Sequence, residues 1–327
     1  MISVRESIRD SIAEVMRKDN DVILIGEEVG EYQGAYKVSQ GLLDEFGPQR
    51  IIDTPITEAG FTGLAIGAAM NGLKPIVEFM TWNFAMQAID HIINSAAKTY
   101  YMSGGKINIP IVFRGPNGSA SRVAAQHSQD FSAWYSHVPG LKVLAPYDST
   151  DAKLLMRAAV LDPNPVVFLE HELLYNEKFV LDEEENSIEI GKAKVLEEGN
   201  DITIISFSRG LKLALDACKK LKDINISSEI INLRSLKPID KNSIIKSIKK
   251  TGRMIFIEEG WKEYGVGAEI ISTVVEEAFD FLDAEPVRIS GKNVPLPYAE
   301  NLEIDALPNI DEIIQKAKEV CYYEDKS

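Results

Sequence analysis

The sequence predicts an α/β protein of two domains, each built on a mainly parallel sheet with helices on its faces. Three observations lead there. The 327 residues exceed the usual size of one domain. Short apolar runs rich in Val and Ile alternate with segments of helical period, the pattern of a parallel sheet covered by helices. From Phe179 to Asp201 that alternation loosens into an acidic, glycine-containing stretch, and a second α/β series follows it. The division is placed in this stretch, giving domains at 1–185 and 186–327.

The elements follow in order. Residues 4–18 have helical periodicity, and VILIGEEV then stops at Gly26 as a buried strand would. RIID, KPIVEFM, IPIVFRG, LKVLAP and NPVVFLE read as further buried strands, closed by Gly, Pro or charge. Helical patterns lie between them at 57–71, 83–101 and 149–161, the last opened by the capping candidates Asp148, Ser149 and Thr150. The second series runs DITIISFS, a helix through GLKLALDACKKLK, the strand SSEIINL, a helix at 241–250, the strand RMIFIEE, the helix VGAEIISTVVEEAFDFL and the strand PVRIS.

Composition removes several function classes. A formal charge of −15, from 35 basic and 50 acidic residues, repels a polyanionic backbone, and no basic cluster with interleaved aromatics offsets it. Nucleic acid is therefore not an expected partner. No run of about 18 apolar residues suggests a membrane span. The opening MISVRESIRDSIAEVMRKDN lacks the apolar centre of a secretory signal and carries acids that transit peptides avoid, so the expectation is work in the cytoplasm. Cys218 and Cys321, the only cysteines, have no metal-type spacing, which argues against a disulfide framework and a zinc site. The paired glycines of GEYQGAYK and EYGVGAEI do not read as following a strand and opening a helix with an acid about 20 residues later, so dinucleotide binding has weak support.

The chemistry-bearing residues collect in three stretches. DTPITEAGFTGLAIGAAMNG sets Glu58 at the head of an otherwise apolar or tiny run. Gly60, Gly63 and Gly67 recur at helical spacing, and each costs a helix about 1 kcal/mol against alanine, so they imply close packing. Glu58 reads either as a first-turn acid favoured by the helix dipole or as a buried carboxyl able to share a proton with a ligand nitrogen. EFMTWNFAMQAIDHIINSAAKTYYMSGG carries Met80, Trp82, Phe84 and Met86 as core or pocket wall, with Gln87 and Asp90 as the polar residues among them. FRGPNGSASRVAAQHSQDFSAWYSHVPG is a polar loop after a strand end, where ligands sit in parallel-sheet folds, and it contains His127, which reads as structure or as a general acid/base.

The ordered set DTPITEAGFTGLAIGAAMNG, KPIVEFMTWNFAMQAIDHIINSAAKTYYMSGG, PIVFRGPNG, AAQHSQ and PGLKVLAPYDSTDAK resembles the β subunits of the thiamine diphosphate-dependent first component of 2-oxo acid dehydrogenase complexes, most nearly pyruvate dehydrogenase. The resemblance covers essentially the whole chain. It implies a pyrimidine-binding domain followed by a transketolase-like C-terminal domain. It also implies an α subunit that holds the cofactor diphosphate through Mg2+, in an α2β2 tetramer with active sites at the α/β contacts. The α-type diphosphate motif is not found in this chain.

By the same resemblance Glu58 is the catalytic glutamate that hydrogen-bonds the aminopyrimidine ring and helps the cofactor lose its thiazolium proton. Met80, Phe84 and Gln87 line the pyrimidine pocket, and the tiny face after Glu58 serves a subunit contact. His127 matches an active-site histidine on the substrate side. A structural K+ site falls at Ile111, Ala159, Val160, Asp162 and Asn164. His171 stands where the family usually has asparagine, and Trp82 where phenylalanine is common. The implied activity is decarboxylation of pyruvate with acetyl transfer to a lipoyl group; alternatives are acetoin or branched-chain 2-oxo acid dehydrogenase. A mainly scaffolding role is a further alternative, in which the acidic stretch NLEIDALPNIDEIIQKAKEV docks the acyltransferase core.

Overall fold

The computed structural model describes residues 1–324, which divide into two compact units. The first comprises residues 1–121 and 134–190, and the second residues 122–133 and those after 190. No described helix is long and apolar enough to cross a membrane.

In the first unit, helix α1 (Val4–Lys18) starts where the sequence supplies a capping box: Ser3 accepts from the Glu6 amide and the Glu6 carboxylate accepts from Ser3. Its apolar stripe, including Ile8, Ile12 and Met16, is fully buried. Six strands of this unit run parallel: β1 (Val22–Gly26), β2 (Ile51–Asp53), β3 (Lys74–Glu78), β4 (Val112–Pro116), β5 (Lys142–Leu144) and β6 (Val166–Glu170). Their spatial order is β5-β6-β4-β3-β1-β2. Register pairs Gly26 with Asp53 and Glu78, Glu78 with Arg114, and Pro116 with Glu170, so the carboxyl ends of these strands form one edge. Sheet strands buried on both faces explain their continuous Val and Ile runs.

Helices α2 (Glu58–Met70) and α5 (Ser149–Leu161) are single helices, the latter capped by Asp148, which accepts from the Asp151 amide. The helix expected over 83–101 is broken. It forms α3 (Trp82–Ala85), a 3₁₀ turn at Met86–Ala88, a π-helical turn at His91–Ala96 and α4 (Ala97–Met102). Side chains take carbonyls around the break: Lys98 Nζ donates to the Ile93 carbonyl and Thr99 Oγ1 to that of Ser95, so the widened turn is stabilised by groups periodicity ignores.

The second unit has a five-stranded sheet. Its strands are β7 (Lys194–Glu197), β8 (Ile202–Ser206), β9 (Ser228–Asn232), β10 (Met254–Trp261) and β11 (Val287–Gly291), in the order β11-β10-β8-β9-β7. Only β7 is antiparallel to its neighbour. Helices α6 (Gly210–Asp223), α7 (Lys241–Thr251), α8 (Val266–Ala278), α9 (Glu300–Ala306) and α10 (Ile310–Val320) complete it.

One sequence expectation is corrected here. The glycines of EYGVGAEI do follow a strand, β10, and open a helix, α8. The helix start is already occupied from within. The buried Glu258 carboxylate accepts from the Gly267 amide at 3.3 Å, and a Cβ at Gly265 or Gly267 would lie 2.6 or 2.9 Å from its Oε1. The glycines make room for this acid.

Candidate active site

The carboxyl edge of β3, β1 and β2 gathers the residues of interest in the first unit. Glu58 is the first residue of α2, which follows β2 after a short loop. Its side chain is buried, with 5% of the residue exposed. No hydrogen bond or ion pair engages its carboxylate among the described residues. Of the two readings, burial favours the carboxyl that awaits a ligand over a solvated first-turn acid.

Glu27, directly after β1, was not singled out in the sequence, because GEEV looks like a strand ending in ordinary surface charge. The structure buries it at 6% exposure, with Oε1 lacking any hydrogen-bond partner among the described residues. Burial first, and then the charges of Glu58 and Glu28, push its carboxyl up to about 6. Two buried acids therefore lie within electrostatic reach of one another, one of them with an oxygen that has no hydrogen-bond partner among the described residues.

After β3 the chain supplies the apolar side of this edge. Met80 and Phe84 are half-buried, and Gln87, in the 3₁₀ turn, is exposed. Behind them Trp82 is fully buried between Phe79 and Tyr135, with ring centroids 5.5 and 4.8 Å apart. Phe79 also meets Phe61 of α2 at 5.9 Å, which ties the wall after β3 to the helix that begins with Glu58.

Beneath this edge a charged cluster links β3, β4 and β6. Arg114, 1% exposed, donates to Glu78 from one arm and to both oxygens of Glu170 from Nε and Nη2, at 2.6 and 2.5 Å. Tyr175 donates to Glu170 at 2.7 Å. Burial raises the Glu78 carboxyl and Arg114 opposes that rise. A bidentate guanidinium fits the planar carboxylate and fixes the registers that carry Glu78 and Glu170.

The helix glycines divide. A Cβ at Gly60 would meet Thr57 Oγ1 at 2.8 Å, and one at Gly63 would touch the His91 ring at 3.4 Å, while Gly67 has no neighbour within 4 Å among the described residues. Of the three, only Gly60 is too closely approached by the described residues of the chain to carry a side chain, the contact at Gly63 being an ordinary one. His171 Nδ1 accepts from the Leu173 amide at 3.2 Å and caps the turn that follows β6.

His127 is exposed and lies in the segment 122–133, part of the second unit, with its amide donating to the Ala124 carbonyl at 3.2 Å. Asp130, three residues on, accepts from the Ser132 amide. The expected cation ligands lie at the opposite, amino edge of the first-unit strands. Ile111 precedes β4, Ala159 and Val160 form the last turn of α5, and Asp162 and Asn164 lead into β6. The Asp162 carboxylate is engaged by Lys142 Nζ and by the amide and side chain of Asn164.

Comparison with known proteins decides the family. Residues 1–178 match the model of the transketolase pyrimidine binding domain and residues 191–313 that of the transketolase C-terminal domain. The chain is 61% identical over 322 residues to the pyruvate dehydrogenase E1 component subunit beta of Rickettsia felis, covering 98% of this chain and 99% of that one. The chain belongs to the pyruvate dehydrogenase E1 β-subunit family. The mitochondrial family member of Saccharomyces cerevisiae is 56% identical, with 99% of this chain and 90% of that one covered. Among solved structures, a split-gene transketolase described as an inactive β4 tetramer aligns over 99% of both chains with a TM-score of 0.81 at 20% identity, a likeness of fold. The expected two-domain α/β architecture and the expected family are both borne out.

Proposed function

We propose that this chain is the pyrimidine-binding half of a thiamine diphosphate-dependent pyruvate dehydrogenase that works only with an α subunit, as α2β2. The observation that carries the reading is the buried, unpartnered Glu58 beside the orphaned Glu27 oxygen at the carboxyl edge of the first sheet. An aminopyrimidine ring, flat and apolar with protonatable nitrogens, supplies what those acids lack. When bound, thiamine diphosphate provides the carbon nucleophile and electron sink for decarboxylating a 2-oxo acid.

The chain's own residues do the rest. Glu58 holds a proton against the ring nitrogen, and its burial strengthens that hydrogen bond. Glu27, raised to about 6, exchanges a proton near neutral pH and sets the charge that Glu58 feels. Met80 and Phe84 exclude water from the ring and Gln87 fixes its orientation. His127 serves the substrate side, where the acetyl group passes to a lipoyl group of the acyltransferase for delivery as acetyl-CoA. Mg2+ and the diphosphate belong to the α subunit. A structural K+ held by main-chain oxygens at Ile111, Ala159, Val160, Asp162 and Asn164 suits a hard cation, since a carbonyl oxygen that already accepts one amide, as that of Ala159 does from Asp162, keeps a second lone pair. The enzyme is expected in the cytoplasm.

Docking of the acyltransferase core is assigned to the acidic face of α9 and α10. Deleting residues 300–327, the last three of which lie outside the described residues, is a poor test, because Ile313, Ala317 and Val320 are buried in the second unit. Charge reversal at the exposed Asp311 and Glu312 keeps that packing; unchanged core binding in Asp311→Lys/Glu312→Lys would remove the assignment.

Calorimetry with thiamine diphosphate and Mg2+ tests the central claim. Binding by the α/β mixture and none by this chain alone is expected, and tight binding by the chain alone overturns the division of labour. Glu58→Ala in the reconstituted enzyme should abolish turnover with assembly intact. Turnover with pyruvate above that with acetoin or branched 2-oxo acids is the expected ranking.

A further inference from the structure

A second cavity, of about 300 Å3, lies in the first unit; it shares Tyr175 with the wall of the Arg114 cluster and uses none of the residues assigned to the cofactor, the substrate or the cation. Its walls come from the start of α1, the loops after β1 and β4 and the turn after β6, with Arg5, Lys37 and Glu172 as the charged groups and Tyr36, Ser121, Tyr175 and Asn176 as the neutral polar ones. At about 30 Å3 per water it has room for roughly ten waters, or for a small organic ligand.

The polar groups are unequally engaged. Glu172 is held on both oxygens, by the Tyr36 hydroxyl at 2.9 Å and the Ser121 hydroxyl at 3.0 Å. Each carboxylate oxygen keeps a further acceptor position. Lys37 donates to the Tyr32 carbonyl at 2.5 Å and lies 3.4 Å above the Tyr32 ring. The Arg5 guanidinium has neither a hydrogen bond nor an ion pair among the described residues. Its backbone is nevertheless fixed, since its amide donates to the Tyr175 carbonyl and that of Val4 to the Glu177 carbonyl, at 3.2 and 3.1 Å.

A cation in the first turn of a helix is set against the helix dipole, so Arg5 contributes nothing to α1 by standing there. A planar fork without a partner, in a walled cavity, is suited to a carboxylate. The lining charges are two cations against one carboxylate, which matches a monoanion better than a dianion. Glu172 offers an acceptor for a neighbouring hydroxyl. Burial first, and then Glu172, raise the Tyr36 hydroxyl above its ordinary range, which keeps it a donor to Glu172 and leaves that carboxylate in place.

We infer that this cavity binds a small hydroxymonocarboxylate, its carboxylate on Arg5 and its hydroxyl donating to Glu172. The site is independent of the thiamine reading, and a failure of either leaves the other standing. Ligand-observed NMR on the full chain with sodium lactate is the test, with Arg5→Gln as the variant and Arg9→Gln as the control on the same helix. Arg9 pairs with Asp10 and does not line the cavity. Saturable lactate binding that weakens at least tenfold in Arg5→Gln and is unchanged in Arg9→Gln is expected. Propionate, which lacks the hydroxyl, should bind several-fold more weakly. Lys37→Gln, which leaves α1 untouched, should weaken binding as well and covers the case of a misfolded Arg5 variant. No saturable signal, equal weakening in both arginine variants, or inorganic phosphate competing as well as lactate overturns the inference.

Discussion

Replacing Glu27 by glutamine should stabilise the isolated chain at neutral pH while impairing the assembled enzyme. The folded carboxyl titrates at about 6 against an ordinary value of 4.5. At about 1.36 kcal/mol per pH unit, that gap sets a ceiling of about 2 kcal/mol. Part of the rise comes from the charge of Glu28, which is exposed and screened, so about 1 kcal/mol is the working figure. The sign follows from which state holds the proton more tightly. The folded state does, so the stability contribution is fully present below 4.5 and is lost as pH rises through about 6. Glutamine cannot ionise and keeps that contribution. Thermal melts of wild type and Glu27→Gln should therefore coincide near pH 4 and diverge by roughly 2–4 °C by pH 7.5, the variant being higher. Parallel curves across that range would refute the argument, since they would mean that Glu27 ionises in the folded chain as it does in water. With the α subunit and cofactor present, the same substitution should lower turnover, the usual cost of relieving a strained active-site charge.

Arg114→Met should destabilise the chain by about 3–5 kcal/mol in chemical denaturation, because two buried carboxylates lose their only shared cation. Glu258, driven up to about 8 by burial and then by the charge of Asp130, holds its proton more tightly when the chain is folded. Wild-type stability should thus decline between pH 4.5 and about 8, and Glu258→Gln should flatten that decline by several degrees of melting temperature; identical profiles would contradict it.

The sheet-forming segments were legible because parallel strands buried on both faces write themselves as unbroken Val and Ile runs. The burial of Glu58 was foreshadowed because one acid heads an otherwise apolar helix a short loop after a strand. Glu27 was not, since a charge at a strand end has the same appearance whether it points to solvent or into a closed edge. The π-helical turn at His91–Ala96 leaves no mark in a stretch without glycine or proline. Arg114 pairs with Glu78 and Glu170 across 36 and 56 residues, a separation at which no local pattern operates. The glycines of EYGVGAEI were misread because their purpose, clearance for Glu258, depends on an acid seated in the preceding strand.

The arginine beneath the site also constrains how the chain can change. Arg114 is one cation for two acids, so the trio is short of positive charge when all three are ionised, and only exchange of one acid for its amide makes it neutral with the hydrogen bonds kept. Removing the arginine takes this donor from Glu78 and leaves Glu170 with the Tyr175 hydroxyl, and truncating either acid to an apolar side chain leaves guanidinium N–H groups without an acceptor. An apolar substitute for the whole cluster needs three coordinated replacements, with each intermediate less stable than either end. Changes made one residue at a time toward an apolar cluster therefore pass through less stable proteins.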